Sequence, residues 1–255
     1  MKKTLALAIV FLFLGMSIIP STAIVNEEKN YPTLKSGNIF YVGGSGPGNY
    51  TKIQDAINDS LDGDTVFVYN GIYFENLMIF KRSISLIGED KHNTIIDGCG
   101  GEWTVGIDAN NVTVTGFTIM NATKKEIDTG GIVSIGINTT IIGNIIKNNW
   151  NGVIFLDQFP FFKGSRIIQN NITDNKFGVF LIFCDFAIIK ENNFINNFMN
   201  AKFDTARLNR WKNNYWDDYY GILPFKVIFG IFIVKFIPIT TINIDFHPAK
   251  EPYDI

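Results

Sequence analysis

The sequence predicts an all-β chain wound into a parallel β-helix, and three observations predict it. Related segments recur at spacings of 27, 22 and 21 residues between Asn138 and Trp216, a period typical of solenoids. The recurring pieces are IIGNIIKNN (141–149), IIQNNITDN (167–175), IIKENNFINN (188–197) and WKNNYW (211–216). They are short, apolar and punctuated by Asn and Gly, which is strand chemistry broken by turns. Nowhere among them does a ten-residue stretch carry the 3.6-residue period of a helical repeat.

Set above one another, the segments place Asn144, Asn171, Asn193 and Asn214 in one column. Four residues on, Asn121, Asn148, Asn175 and Asn197 form a second, and Phe117 of an earlier segment stands in the first. Asn tolerates left-handed backbone at a bend, and its carboxamide can bond the Asn one coil away. The columns are therefore expected to be structural ladders.

Along the chain, Lys2 and Lys3, the apolar run Leu5 to Ile19 and Ser21-Thr22-Ala23 make residues 1–23 a signal peptide, with an uncleaved anchor as the alternative. The protein is expected to be exported. Residues 24–37 form a flexible lead, and residues 38–221 the β-helix, opening with the strand NIFYVGG (38–44). Thr51 to Leu61 reads as a helix: Thr51 and Gln54 have capping-box spacing, and Ile53, Ala56, Ile57 and Leu61 share a face. It is assigned to the open apolar end that a solenoid must cover. The coils follow, interrupted by NATKKEIDTGG (121–131) and DQFPFFKGS (157–165).

After Trp216 the pattern stops, and 222–255 is a C-terminal cap and tail. The stretch 222–246 is apolar but carries Lys226, Lys235 and two prolines, so it reads as strands closing the solenoid. Membrane contact is expected only through the signal segment or, as the weaker alternative, through this stretch. The tail HPAKEPYDI (247–255) is a surface strap or a docking segment; both stay open.

A net charge of -2 gives no footprint for a nucleic-acid partner. Cys99 and Cys184 fall about three coils apart, roughly 14 Å at the strand spacing, too far for a disulfide. Two separate buried thiols are expected.

IQDAIND…DGDTVFVYNGIYFENLMIFKRSISLIGEDKHNTIIDG (53–98) resembles the opening of the pectin-lyase-like right-handed parallel β-helix superfamily. The later turns resemble the repeats of NosD-like proteins and of carbohydrate-binding and sugar-hydrolase domains. Asn-Tyr-Trp (214–216) and the tail resemble exported archaeal members of that set. The resemblance covers roughly 38–216 plus the tail. It implies a single-stranded, right-handed solenoid with an N-terminal helical cap and a C-terminal strand cap. It specifies activity weakly, because fold alone is not function.

Relatives that cleave or epimerise acidic sugars use a metal or other cation and a base, and glycosidase relatives use two carboxylates about the scissile bond. Their His-rich motifs are missing here, and the chain has two His, His92 and His247. The weak catalytic candidates are Asp157, Asp185 and Asp204, each near a strand end, with Asp128 extending the row. In register they could bind calcium or sugar hydroxyls; alternatively Asp is there because it favours turns. Arg166 and Lys190 could bind a uronate. Phe159, Phe161 and Phe162 cluster in an interrupting loop and are candidates for recognition. No resident metal is expected: copper draws on Met, His and Cys, and no such cluster is visible. The sequons at Asn49, Asn58 and Asn138 are the candidate glycosylation sites, alongside Asn111, Asn121 and Asn171.

These residues favour an exported cell-surface module, non-catalytic, that binds polysaccharide or builds the envelope. The alternatives are a polysaccharide lyase, epimerase or hydrolase, and an adhesion module.

Overall fold

A computed structural model of the chain describes residues 37–156, 164–206, 208–234 and 237–255. Residues 1–36, where the signal segment is expected, lie outside the described residues, as do Asp157 and the cluster Phe159, Phe161 and Phe162.

Each coil of the right-handed parallel β-helix but the last contributes one strand to each of three walls, and the last contributes to two. Wall one holds β2 (Thr65–Val68), β5 (Ser85–Gly88), β8 (Thr113–Thr115), β11 (Thr140–Ile142), β14 (Arg166–Ile168), β17 (Ile188–Lys190) and β20 (Arg210–Lys212), led by β1 (Ile39–Val42). Wall two holds β3 (Gly71–Phe74), β6 (Thr94–Asp97), β9 (Thr118–Met120), β12 (Ile145–Lys147), β15 (Asn171–Thr173), β18 (Asn193–Ile195) and β21 (Tyr215–Trp216). Wall three holds β4 (Leu77–Ile79), β7 (Trp103–Ile107), β10 (Gly130–Ser134), β13 (Asn151–Leu156), β16 (Phe177–Ile182) and β19 (Met199–Asp204).

Pleating explains the core. Successive side chains face opposite sides, so each short strand sends its middle residue inward. In wall two that residue is Tyr73, Ile96, Ile119, Ile146, Ile172, Phe194 and Trp216, in register from coil to coil. Burying one such side chain contributes about 1.5–3 kcal/mol as an upper estimate. At the foot of the column the rings of Phe194 and Trp216 stack at 4.3 Å.

The Asn ladders exist, but at four positions they lie one residue from where the repeats place them. The main-chain N–H and Nδ2 of Asn144 both reach Oδ1 of Asn170, at 3.0 and 3.2 Å. Asn170 reaches Asn192 in the same way, and Asn192 reaches Asn214. Asn171 and Asn193 instead face outward. The second ladder is Asn149–Asn175–Asn197, and Asn121 and Asn148 precede it in left-handed backbone at φ 66° and 56°. The reason is alternation: of two consecutive Asn only one can face the core, and Asn-Asn at 148–149, 170–171 and 192–193 looks alike in either register. Phe117 does stand above Asn144, donating its N–H to Oδ1 at 3.1 Å.

Both ends are closed. Helix α1 (Ile53–Asp59) buries Ile53, Ala56 and Ile57 over the first coil. Its N-terminus is not held by the Thr51–Gln54 box; the carboxylate of Glu75 accepts the N–H groups of Ile53 and Gln54 at 2.9 and 3.0 Å. Leu61 lies beyond the helix and is exposed, so it is not part of the buried face. At the other end β22 (Lys226–Val234) and β23 (Ile237–Asp245) form an antiparallel hairpin. β22 pairs with β19 and β23 with β20, so the hairpin ties wall three to wall one.

Cys184 is buried as expected, but Cys99 is exposed where a buried thiol was expected. It occupies a bend at φ 51°, and bends, not strand centres, meet solvent. Among the described residues no helix is long and apolar enough to cross a membrane.

Candidate functional site

The corner between walls two and three repeats one local plan. A left-handed residue (Asn148, Asp174, Asn196) is followed by a ladder Asn (Asn149, Asn175, Asn197). The next residue is Trp150, Lys176 or Phe198, which therefore hold the same place in successive coils. Main-chain bonds fix the stacking: Lys176 N–H to the Asn149 carbonyl at 3.0 Å and Phe198 N–H to the Asn175 carbonyl at 3.1 Å. With neighbouring strands roughly 4.8 Å apart, the corner is a column of rings and cations at coil spacing. Phe198 is 72% exposed.

Strand β16 starts beside this column with Phe177, whose ring meets Trp150 edge-on at 5.9 Å. On β19 Ala201 and Phe203 face the core, so alternation sends Lys202 and Asp204 outward. The Lys202 ammonium lies 3.5 Å from the centre of the Phe177 ring and 3.8 Å from that of Phe180. Lys176 lies over Phe198 at 3.2 Å and Lys125 over Trp150 at 5.9 Å. Among the described residues none of these three lysines meets a carboxylate, whereas Lys124 pairs with Glu102 and Glu126. Burial pulls the Lys202 amine down to about 8. The corner thus offers aromatic faces and positive charge that no described carboxylate pairs, which suits a polar, ring-bearing, anionic or neutral ligand.

Among the described residues, those predicted from sequence are not brought together here. Asp204 is level with Ile182 and Leu156. Asp185 is buried and lies three residues past Ile182, beyond the end of β16, so these two acids share no column. Arg166 and Lys190 stand on wall one, level with Ile188 and Lys212 respectively, on a different wall from Asp204. Asp128 is exposed in the link before β10. Among the described residues no three His, Cys, Asp or Glu side chains are grouped so as to hold a metal. The acid row was drawn from sequence gaps, and strand pairing does not respect those gaps. Of the sequons, Asn58 is exposed on α1, Asn49 donates to the Gly43 carbonyl and Asn138 to Oδ1 of Asn111.

Sequence reasoning missed Trp150, Lys176, Phe177, Phe198 and Lys202. The signal was present: each corner residue directly follows a ladder Asn, and reading Asn148 in place of Asn149 kept Trp150 out of the column of Lys176 and Phe198.

A family model described as "Periplasmic copper-binding protein (NosD)" matches residues 26–221. A curated relative, the probable pectinesterase/pectinesterase inhibitor 41 of Arabidopsis thaliana, is 24% identical over 123 residues, 45% of this chain. The chain spans 20% of that relative's length. Among solved structures, Escherichia coli ybhc superposes with a TM-score of 0.51 at 11% identity, over 80% of this chain and 73% of the other. Pectin methylesterase PemA from Erwinia chrysanthemi gives 0.43 at 15% identity, over 70% and 67%. The likeness to ybhc speaks to fold alone.

Copper, named in the family description, does not fit the side chains present. Soft sites need thiolate, thioether and imidazole donors together. Cys99 is exposed and Cys184 buried, His92 lies in a turn before β6 and His247 beyond β23, and no ligand group forms among the described residues.

Proposed function

The chain belongs to the NosD family, and on that footing we propose that it is an exported, non-catalytic β-helix module that binds polysaccharide through the corner between walls two and three. The observation that carries this is the stack Trp150–Lys176–Phe198, flanked by Phe177 and Lys202, with three lysines that no described carboxylate neutralises. Rings at coil spacing offer stacking faces to successive sugars, and the ammonium groups offer donors to hydroxyl or carboxylate oxygens. The periplasmic family description and the leader-like residues 1–23 both support export. The pectinesterase relative and the pectin methylesterase structures make plant-type and microbial polysaccharides the first ligands to try.

Asp185 and Asp204 stand at different levels, and Arg166 and Lys190 on another wall, which supports binding over catalysis. The test is a panel of neutral and acidic polysaccharides, with and without calcium, followed for affinity and for chain length by mass spectrometry. Retention of intact glycan, weakened tenfold or more in Trp150→Ala and Phe198→Ala, is the expected result. Shortened or unsaturated products that vanish in Asp204→Ala would replace the proposal with catalysis.

A further inference from the structure

The C-terminal hairpin is a two-sided sheet, and its outer side is apolar. Facing the solenoid are Ile228, 2% exposed, and Asp245, fully buried. The opposite side carries the cross-strand pairs Val227–Ile244, Phe229–Ile242 and Ile231–Thr240. One step further on, Phe225 and Phe246 continue it, with ring centres 6.5 Å apart. Phe229 is 65% exposed, Ile242 54% and Phe246 61%. Tyr220, Ile222 and Leu223 are exposed in the turn that leads into β22. Tyr220 and Leu223 share with Phe246 the lining of an open cleft of about 630 Å³.

An antiparallel sheet that packs on one side normally turns polar residues to water on the other. Here the outer side has one hydroxyl, Thr240, and no charge at any of its eight positions. Large exposed apolar patches mark interaction sites. We propose that this face is a dimer interface, and that its occupant is the same face of a second copy of the chain.

Area and charge select that occupant. Side chains of this size offer roughly 150–250 Å² each, so the exposed members present on the order of 800 Å², the share one partner gives to a standard interface. An uncharged, flat face meets its own image without like-charge repulsion, and a two-fold axis lets every contact be made twice. Two such sheets pack face to face as in a β-sandwich. A lipid surface would call for free basic groups on the strands; among the described residues of the hairpin the one lysine, Lys226, is on the inner side and pairs with Asp218 at 2.6 Å.

Sedimentation equilibrium of the full chain, produced with its own N-terminal segment, tests the proposal. The expected result is a dimer mass whose dissociation constant rises at least tenfold in Phe229→Asp and in Ile242→Glu, with circular dichroism unchanged. Should either variant fold poorly, Ile242→Cys in a Cys99→Ser background is expected to oxidise to a linked pair. A monomer at every concentration, or a dimer indifferent to Phe229→Asp, would overturn the proposal. So would a monomer that co-sediments with phospholipid vesicles through Phe229.

Discussion

Asn214 donates both its main-chain N–H and its Nδ2 to the same carboxylate oxygen of Asp245, each at 3.0 Å. The Trp216 indole adds a third donor to that oxygen at 3.2 Å, and the N–H groups of Asn213 and His247 take the other oxygen at 3.1 Å. The ladder has a direction, every rung donating to the oxygen of the next. Its last rung therefore needs an acceptor that has nothing to pass on. An ionised carboxylate is acceptor-only, and the closing hairpin supplies one.

Asp245→Leu is expected to cost on the order of 3–5 kcal/mol, because several buried donors lose their acceptor at about 1–3 kcal/mol each. Asp245→Asn keeps one good acceptor but turns an NH₂ group toward other donors, and about 1–2 kcal/mol is expected. Urea unfolding of the three proteins measures both differences. Equal stability of the Leu and Asn variants would show that acceptor chemistry at this position is unimportant.

The neighbouring asparagines at the start of β18, Asn192 just before it and Asn193 its first residue, should behave oppositely. Asn192 is a rung: its loss leaves the buried N–H of Asn170 without its acceptor and takes one of three acceptors from Asn170 Nδ2, and about 2–3 kcal/mol is expected for Asn192→Ala. Asn193 faces outward and bonds Asn171 and the tail, so Asn193→Ala is expected to cost about 1 kcal/mol. Thermal melts of the pair decide the register; a larger loss for Asn193→Ala would return it to the ladder.

That pair also marks what the sequence could and could not say. Strand class, period, the closing helix and the C-terminal strands follow from patterning, since periods of two and of about twenty-two residues survive in the letters themselves. The facing of Asn192 against Asn193 does not, because both are Asn and only the coil above and below distinguishes them. The candidate site inherited the same ambiguity. Trp150, Lys176 and Phe198 align only once the ladder is right, and a lysine over a ring far along the chain, such as Lys202 over Phe180, has no local signature. The capping of α1 by Glu75 was hidden for the same reason, with the acid 22 residues from the N–H it accepts.

Lys202 predicts a pH dependence. Burial lowers its amine to about 8 in the folded protein, against roughly 10.4 in an unfolded chain. Between these values the unfolded chain holds a proton that the folded one has released, so the wild type gains stability as pH rises through the window. Below it the ammonium is present in both states and its burial is unfavourable. Lys202→Met is therefore expected to melt above the wild type at pH 7, with the gap narrowing toward pH 10. Other titrating groups are common to both proteins and cancel. A gap that widens with pH would reverse the assignment.

The tail crosses three coils of wall two as a strap. The Ala249 N–H reaches the Asn214 carbonyl at 2.9 Å, and the carboxamide of Asn193 both donates to and accepts from the Tyr253 main chain at 2.8 Å. Asn171 Nδ2 meets the Ile255 carbonyl at 2.8 Å, and the Tyr253 hydroxyl meets the Asn213 carbonyl at 2.5 Å. Nearly all of these bonds run to main-chain atoms, while Lys250, Glu251 and Asp254 point to solvent, so few buried side chains resist peeling. At about 1 kcal/mol net per bond, less the entropy of ordering the segment, the strap should open far more often than the solenoid unfolds. Trypsin is then expected to cut after Lys250 before any site within the coils. In Asn193→Ala, which removes the two-way pairing, that cut should be several-fold faster while the global melt moves little. Equal cleavage rates in the two proteins would mean that the strap is held by something other than the outward asparagines.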